Sequence, residues 1–225
     1  MNYHYKLGLD VNTYHKTNIF LVFVSLLLIF ESIIFYTNSF LVTDEALRSS
    51  YSFLDSEIID RIVSSQRSNI LLGYLVIPFL ILLRCLLFCL PVYTVLYLRD
   101  EEKISFKKLF TIALYGEFIF IISALTKIVI LTFTSKTDVI AQMNSFIPLS
   151  LKSLIDYLNI SAPLFTYTFQ IINLFEFAFW LLAGYSIANL LNKRSSVGFR
   201  ILLMSYGIAL SIWCIVVIFI QSIFN

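Results

Sequence analysis

The sequence predicts an all-α integral membrane protein: a five-transmembrane-helix bundle with short amphipathic helices in the two outer loops. Three observations predict it. The chain is 59% hydrophobic and only 13% charged, with a mean hydropathy of +0.88, whereas soluble domains carry about a quarter charged residues. Its apolar runs are continuous over more than the roughly twenty residues that a bilayer core requires. They also lack the ten-residue segments of alternating polarity that a membrane barrel would show. Only helices then satisfy every backbone group in hydrocarbon.

Five spans follow in order within a single membrane domain, residues 1–225. The first, Ile19–Phe40, is preceded by Lys6 and Lys16 as a secretory leader would be. It contains Glu31 and lacks a small-x-small cleavage site, so a retained span is expected. Between Asp44 and Arg67, Leu47, Tyr51, Leu54, Ile58 and Ile62 recur at helical spacing, with Ile59 and Val63 widening the stripe. An amphipathic helix is expected there, lying at the interface or covering the bundle end. The second span, Ile70–Leu98, carries Pro78 and Pro91, which remove backbone donors and predict a kink, tilt or partial break. The third is Leu109–Phe133. In the next outer loop Pro148 and Ser150 signal a helix start, with Leu151, Leu154, Ile155 and Leu158 as its apolar face. The fourth and fifth spans are Phe165–Leu191 and Ile201–Phe224.

Orientation follows from the cations in the connections. One side holds Lys6, Lys16, Arg99, Lys103, Lys107, Lys108, Lys193, Arg194 and Arg200 in short segments. The other holds Arg48, Arg61, Arg67, Lys136 and Lys152, spread over two longer loops. A cytoplasmic N-terminus and a C-terminus outside or lumenal are expected.

Five ionisable residues fall within the spans: Glu31, Arg84, Glu117, Lys127 and Glu176. Counting from the cytoplasmic ends at 1.5 Å per residue puts Glu31, Arg84 and Glu176 near ~18, ~21 and ~22 Å. Glu117 falls near ~12 Å and Lys127 near ~27 Å. Charges so deep cost several kcal/mol unless paired. The planar guanidinium of Arg84 suits a fork between the carboxylates of Glu31 and Glu176, with Lys127 above and Glu117 below. Such a cluster is either a structural salt bridge that fixes helix pairing or a relay for protons or substrate.

Other chemistry finds no support. Cys85, Cys89 and Cys214 sit within apolar runs, and the histidines, His4 and His15, precede the first span. A zinc site needs three or four converging donors, so no metal is expected and the thiols read as small hydrophobes. There is no H-E-x-x-H pair, no G-x-S-x-G elbow and no phosphate-binding loop. Without an intramembrane histidine a hydrolase lacks its base or its ligands. No enzyme activity, cofactor or catalytic residue is expected. The net charge of +2, with no basic cluster, gives no reason for a nucleic-acid partner. Asn159-Ile160-Ser161 is a glycosylation sequon on the expected outer side.

Three stretches carry a family resemblance. Ile104-Ser-Phe-Lys-Lys-Leu-Phe-Thr-Ile-Ala-Leu-Tyr-Gly116 enters the third span as in bacterial members of the Yip (Ypt-interacting protein) family. Pro148-Leu-Ser-Leu-Lys-Ser-Leu-Ile-Asp156 is similar to that family's outer-loop helix. Asn173-Leu-Phe-Glu-Phe-Ala-Phe-Trp180, continuing to Tyr185, resembles its fourth span, and the turn at Lys193-Arg194 fits as well. The resemblance covers roughly residues 70–224. It implies five spans, an N-terminus inside and, for the bacterial branch, an inner-membrane location. The Rab-type GTPase role of eukaryotic relatives does not transfer, because their long N-terminal region and D-L-x-G-P-like motif are missing.

Two functions lead, ahead of a third and weaker option, an intramembrane enzyme of unfamiliar type. The first is a non-enzymatic scaffold or adaptor organising partner proteins or lipid, with Arg99, Lys103, Lys107 and Lys108 as its cytoplasmic contact surface. The alternative is a small transporter or permease component using Glu31, Arg84 and Glu176. A scaffold should pack these charges closed; a transporter should leave a polar cavity around them.

Overall fold

A computed structural model describes residues 18–99, 104–158 and 165–224. Lys6, Lys16, Lys103, both histidines and the 159–161 sequon lie outside the described residues. Regular structure among the described residues is helical, apart from one antiparallel bridge between Ser150 and Asn173. Helix α1 spans Ile19–Tyr36 and ends in a π-helical turn, Thr37–Leu41. It starts where the Asn18 side chain accepts from the backbone N–H groups of Phe20 and Leu21. Then come α2 (Asp44–Ser50), α3 (Ser56–Leu98), α4 (Phe106–Thr132), α5 (Lys136–Ser145) and α6 (Leu151–Tyr157). The chain closes with α7 (Thr166–Ile171), α8 (Leu174–Leu190), α9 (Ser195–Leu202), a π-turn (Leu203–Gly207) and α10 (Ile208–Phe224). Among the described residues four helices are long and apolar enough to cross a membrane: Ile19–Leu41, α3, α4 and the continuous α9–α10 segment.

Two expectations need correction. The amphipathic stretch 44–67 is not one helix but α2 plus the first turns of α3, which run on without a break into the expected second span. The turn at residues 51–55 folds α2 back along α3, where Arg67 grips Asp44 through Nε–Oδ1 (3.0 Å) and Nη2–Oδ2 (2.7 Å), and Arg48 reaches Asp60 at 2.6 Å. That reversal gathers Ala46 and Leu47 with Ile59 and Val63 around Ile140 of α5, so the apolar stripe is spent on the protein's own packing. One unbroken rod would have left half of it uncovered. Helix α3 also passes through Pro78 and Pro91 without ending. The second correction concerns Phe165–Leu191, which is two helices, α7 and α8, interrupted at Ile172–Asn173. The expected helix after Ser150 is present as α6, with the Ser150 hydroxyl accepting from the Ser153 N–H.

The core is densest at the end that carries Arg99, Lys107, Lys108, Lys193, Arg194 and Arg200, called here the basic end. Cys89, Val92, Leu109, Ile112, Leu114, Ala183, Ile187, Ile201 and Leu202 are fully buried there. Small residues bring α8 and α9 close together, as they do between membrane helices generally. A Cβ built on Gly198 would lie 2.1 Å from the Gly184 carbonyl oxygen and 2.8 Å from the Ala188 nitrogen. The turn between these helices uses Asn192 at φ 53°, a left-handed cap position that Asn tolerates. It lets Lys193 donate its N–H to the Ala188 carbonyl at 3.0 Å.

Candidate functional site

Arg84 does not fork between Glu31 and Glu176. Its guanidinium holds Glu117 instead, with Nε 2.8 Å from Oε1 and Nη2 on Oε2, while Cζ sits 4.3 Å above the Phe120 ring. The reason is the register of the α3–α4 hairpin. The short connection 99–105 pairs the helices antiparallel and sets position 84 against position 120, and Glu117 lies one turn from Phe120 on the same face. Counting depth from Leu109 missed this, because α4 begins at Phe106 and because depth says nothing about which face a side chain occupies. The Glu117 side chain is only 3% exposed, and Gly116 beside it admits the Phe179 ring, which a Cβ would meet at 2.3 Å. Bidentate pairing offsets the cost of burying this carboxylate.

Glu176 is held by neutral donors. Its Oε1 accepts from Trp180 Nε1 at 2.9 Å and from the Tyr206 hydroxyl at 3.0 Å. Tyr206 is delivered by the π-turn, whose extra residue per turn re-aims side chains, a common device at functional sites. Its ring packs edge-on to Phe88 and Phe179 at 5.5 and 5.8 Å. Glu31 is half-buried on α1 and stands apart from this assembly; its neighbour Phe30 faces the site.

The break between α7 and α8 was not expected, and Asn173 builds it. Its Oδ1 accepts from the Glu176 N–H at 2.8 Å, while Nδ2 donates to the carbonyls of Gln170 and Ile171, each at 3.0 Å. The 146–150 loop satisfies backbone groups freed by the interruption: Leu151 N–H donates to Ile172 O (2.8 Å) and Leu174 N–H to Leu149 O (3.1 Å). Leu149 adopts φ 56° to do so, a left-handed conformation that is uncommon for an aliphatic residue. Irregular backbone at such a level is tolerated where it is buried in protein or lines a cavity.

It lines a cavity here. A space of about 620 Å³ opens between α1, α3, α4, the 146–150 loop, α7, α8 and α10. Arg84, Glu176 and Tyr206 lie at its inner part; Lys127, Gln170 and Pro148 lie toward the end opposite the basic one. The Arg84 side chain is 46% exposed and forms part of this cavity's wall. Lys127 donates Nζ to the Met143 carbonyl at 2.7 Å and has no ion pair among the described residues. Trp213 Nε1 donates to the Tyr167 hydroxyl at 2.9 Å and ties α10 to α7 across the wall.

Arg84, Lys127 and Glu176 therefore line one cavity, Glu117 is buried against Arg84, and Glu31 does not line it. No group of three or more potential metal ligands occurs among the described residues. At the basic end, Arg99 lays Nη2 3.3 Å from Met204 Sδ, and Lys107 and Lys108 occupy the first turn of α4. Asn173, Tyr206, Trp213 and Gln170 were missed from sequence. Only Asn173 carried a signal, since Asn173-Leu-Phe-Glu176 has the spacing of a helix cap.

No family model, curated protein or solved structure matches this chain.

Proposed function

We propose that the protein is a small multi-pass transporter or permease component that binds a small solute in this cavity. The observation that carries the reading is the cavity itself, walled by Arg84, Lys127 and Glu176 at the interruption between α7 and α8. Discontinuous helices around a site within the bilayer are a recurrent feature of transporters, and ligand pockets commonly fall between about 300 and 1,000 Å³. A scaffold has no use for polar groups arranged around open space. The Arg84–Glu117 pair alone favours that quieter role, because its two charges satisfy each other.

The proposal includes five crossings with the N-terminus cytoplasmic, in a bacterial inner membrane. Helix α8, at 17 residues, is about 26 Å long, so α7 completes the fifth crossing of a ~30 Å hydrocarbon core. Kinship with the Yip family is proposed at the level of this five-crossing plan.

Thiol labelling tests the reading. In a background lacking Cys85, Cys89 and Cys214, Ser123→Cys and Gln170→Cys react with a membrane-impermeant maleimide, while Ala113→Cys, on the packed seam, does not. Protection of both cavity positions would return the scaffold to the front.

A further inference from the structure

Charge balance in the cavity identifies the kind of solute, and this inference rests on the transporter reading. The ionisable groups are Arg84, Lys127 and Glu176 in the cavity wall and Glu117 behind Arg84, and their formal charges sum to zero. Arg84 and Glu117 satisfy each other. The remaining two do not: Lys127 is met by a carbonyl and Glu176 by an indole and a phenol. Among the described residues neither has an ion pair, although both face the same space. A ligand of net charge would leave a buried charge uncompensated in a low-dielectric surround. A neutral ligand would leave both groups as they are. A zwitterion satisfies both and keeps the sum at zero.

Its dimensions follow from the helices. Lys127 is seven residues beyond Phe120, the residue under Arg84, so it lies about 10 Å further along α4. Lys127, with its Nζ on the Met143 carbonyl, and Glu176, held by Trp180 and Tyr206, line the same cavity. The rest of the wall is mostly apolar and aromatic, with Phe120, Ala124, Ile171, Leu210 and Trp213, and carries Ser123, Gln170 and Asn173 as its polar residues. We propose that the cavity binds a zwitterion whose cationic and anionic ends are separated by an apolar spacer, the cation on Glu176 and the anion on Lys127.

Three molecules of equal length test this on the full-length protein in maltoside micelles: 6-aminohexanoate, hexanoate and hexylamine. Each is titrated while Trp fluorescence and the thermal midpoint are followed. The expected result is binding of 6-aminohexanoate at least tenfold tighter than either singly charged analogue. Lys127→Met and Glu176→Gln should each lose that tenfold, and the Gln variant can still accept from Trp180 and Tyr206. Dihexanoyl phosphocholine, kept below its micelle concentration, separates two sources of the same chemistry. Displacement of 6-aminohexanoate assigns the site to a lipid headgroup; no displacement assigns it to a free solute. Hexanoate or hexylamine binding as tightly as the zwitterion overturns the proposal, as does an absence of binding by all three. If Ser123→Cys still labels in that case, the cavity reading survives and only the zwitterion falls.

Discussion

The two halves of the bundle are built on opposite rules. At the basic end, Gly184, Ala188 and Gly198 draw α8 and α9 together, and Ala183, Ile187, Ile201 and Leu202 are fully buried there. Toward the other end the same helices diverge around charges, an interrupted helix and open space. The Arg84–Glu117 pair, with Phe120, Phe179 and Tyr206, is the floor between them. Association of helices in lipid draws little on the hydrophobic effect, because lipid tails are as apolar as leucine. Close small-residue contact therefore supplies the adhesion in one half, and that leaves the other half free to stay hollow.

Breaking the floor should have the largest effect. Arg84→Leu leaves Glu117 buried without its counter-ion, and losing one partner of a buried pair costs about 3–5 kcal/mol. The double variant Arg84→Leu/Glu117→Leu should recover most of that loss, measured by unfolding in mixed micelles. A double variant no more stable than Arg84→Leu would mean that the floor is held by the aromatic rings alone.

Tightening the packed half comes next. Gly198→Ala drives a methyl into the Gly184 carbonyl, where backbone rather than a flexible side chain must give way. A loss of about 1–3 kcal/mol is expected for such overpacking. Gly73→Ala, where nothing lies within 4 Å of the added carbon, should be silent in the same assay. Equal effects at the two glycines would erase the contrast between seam and surface.

The smallest effect belongs to the periphery. The Arg67 guanidinium beside Asp44 holds that carboxyl below its ordinary value of 3.8. Its folded pKa is depressed, so the contribution is present above the unfolded pKa and is lost as pH falls through the lower, folded one. Both groups are solvent-exposed, so the contribution is small and screened by salt. Asp44→Asn should lower the midpoint by no more than a degree or so at neutral pH. It should leave the variant with a shallower decline than the parent below pH 4.

How far the sequence disclosed this molecule depends on which half is considered. Long apolar runs located the helices at either side of Arg99–Ser105 and Leu191–Arg194 to within a few residues, because continuous hydrophobicity and basic turns report crossing lengths directly. The interruption at Asn173 lay in a run, Phe165–Leu191, with neither proline nor a glycine near the break to mark it. Its only trace was a capping residue three before Glu176. The five ionisable residues in the apolar runs were visible as residue types, and Arg84, Lys127 and Glu176 do meet at one cavity, with Glu117 behind Arg84. Which carboxylate Arg84 takes was not visible from depth alone, since depth fixes a level and leaves the azimuth free. The hairpin register supplied that missing coordinate. Nor did anything local show that Asp44–Arg67 would reverse on itself, because α5, which it packs against, lies some eighty residues away.

The π-turn at Leu203–Gly207 has a consequence for how this chain compares with others. One residue more than an α-helix needs is stored there, so the final crossing is written in two reading frames. Gly198, Ile201, Leu202 and Ser205 keep one helical phase toward the core; Ala209, Ile212, Trp213 and Val216 keep another toward the cavity. Removing that one residue would turn the segment into plain α-helix and leave α10 facing as it does, whereas closing the turn to α-helix with every residue kept would rotate α10 by about 100° and carry Trp213 off the cavity wall. A relative that has an uninterrupted final helix and the same cavity wall should thus align with this chain only across a one-residue gap at that turn.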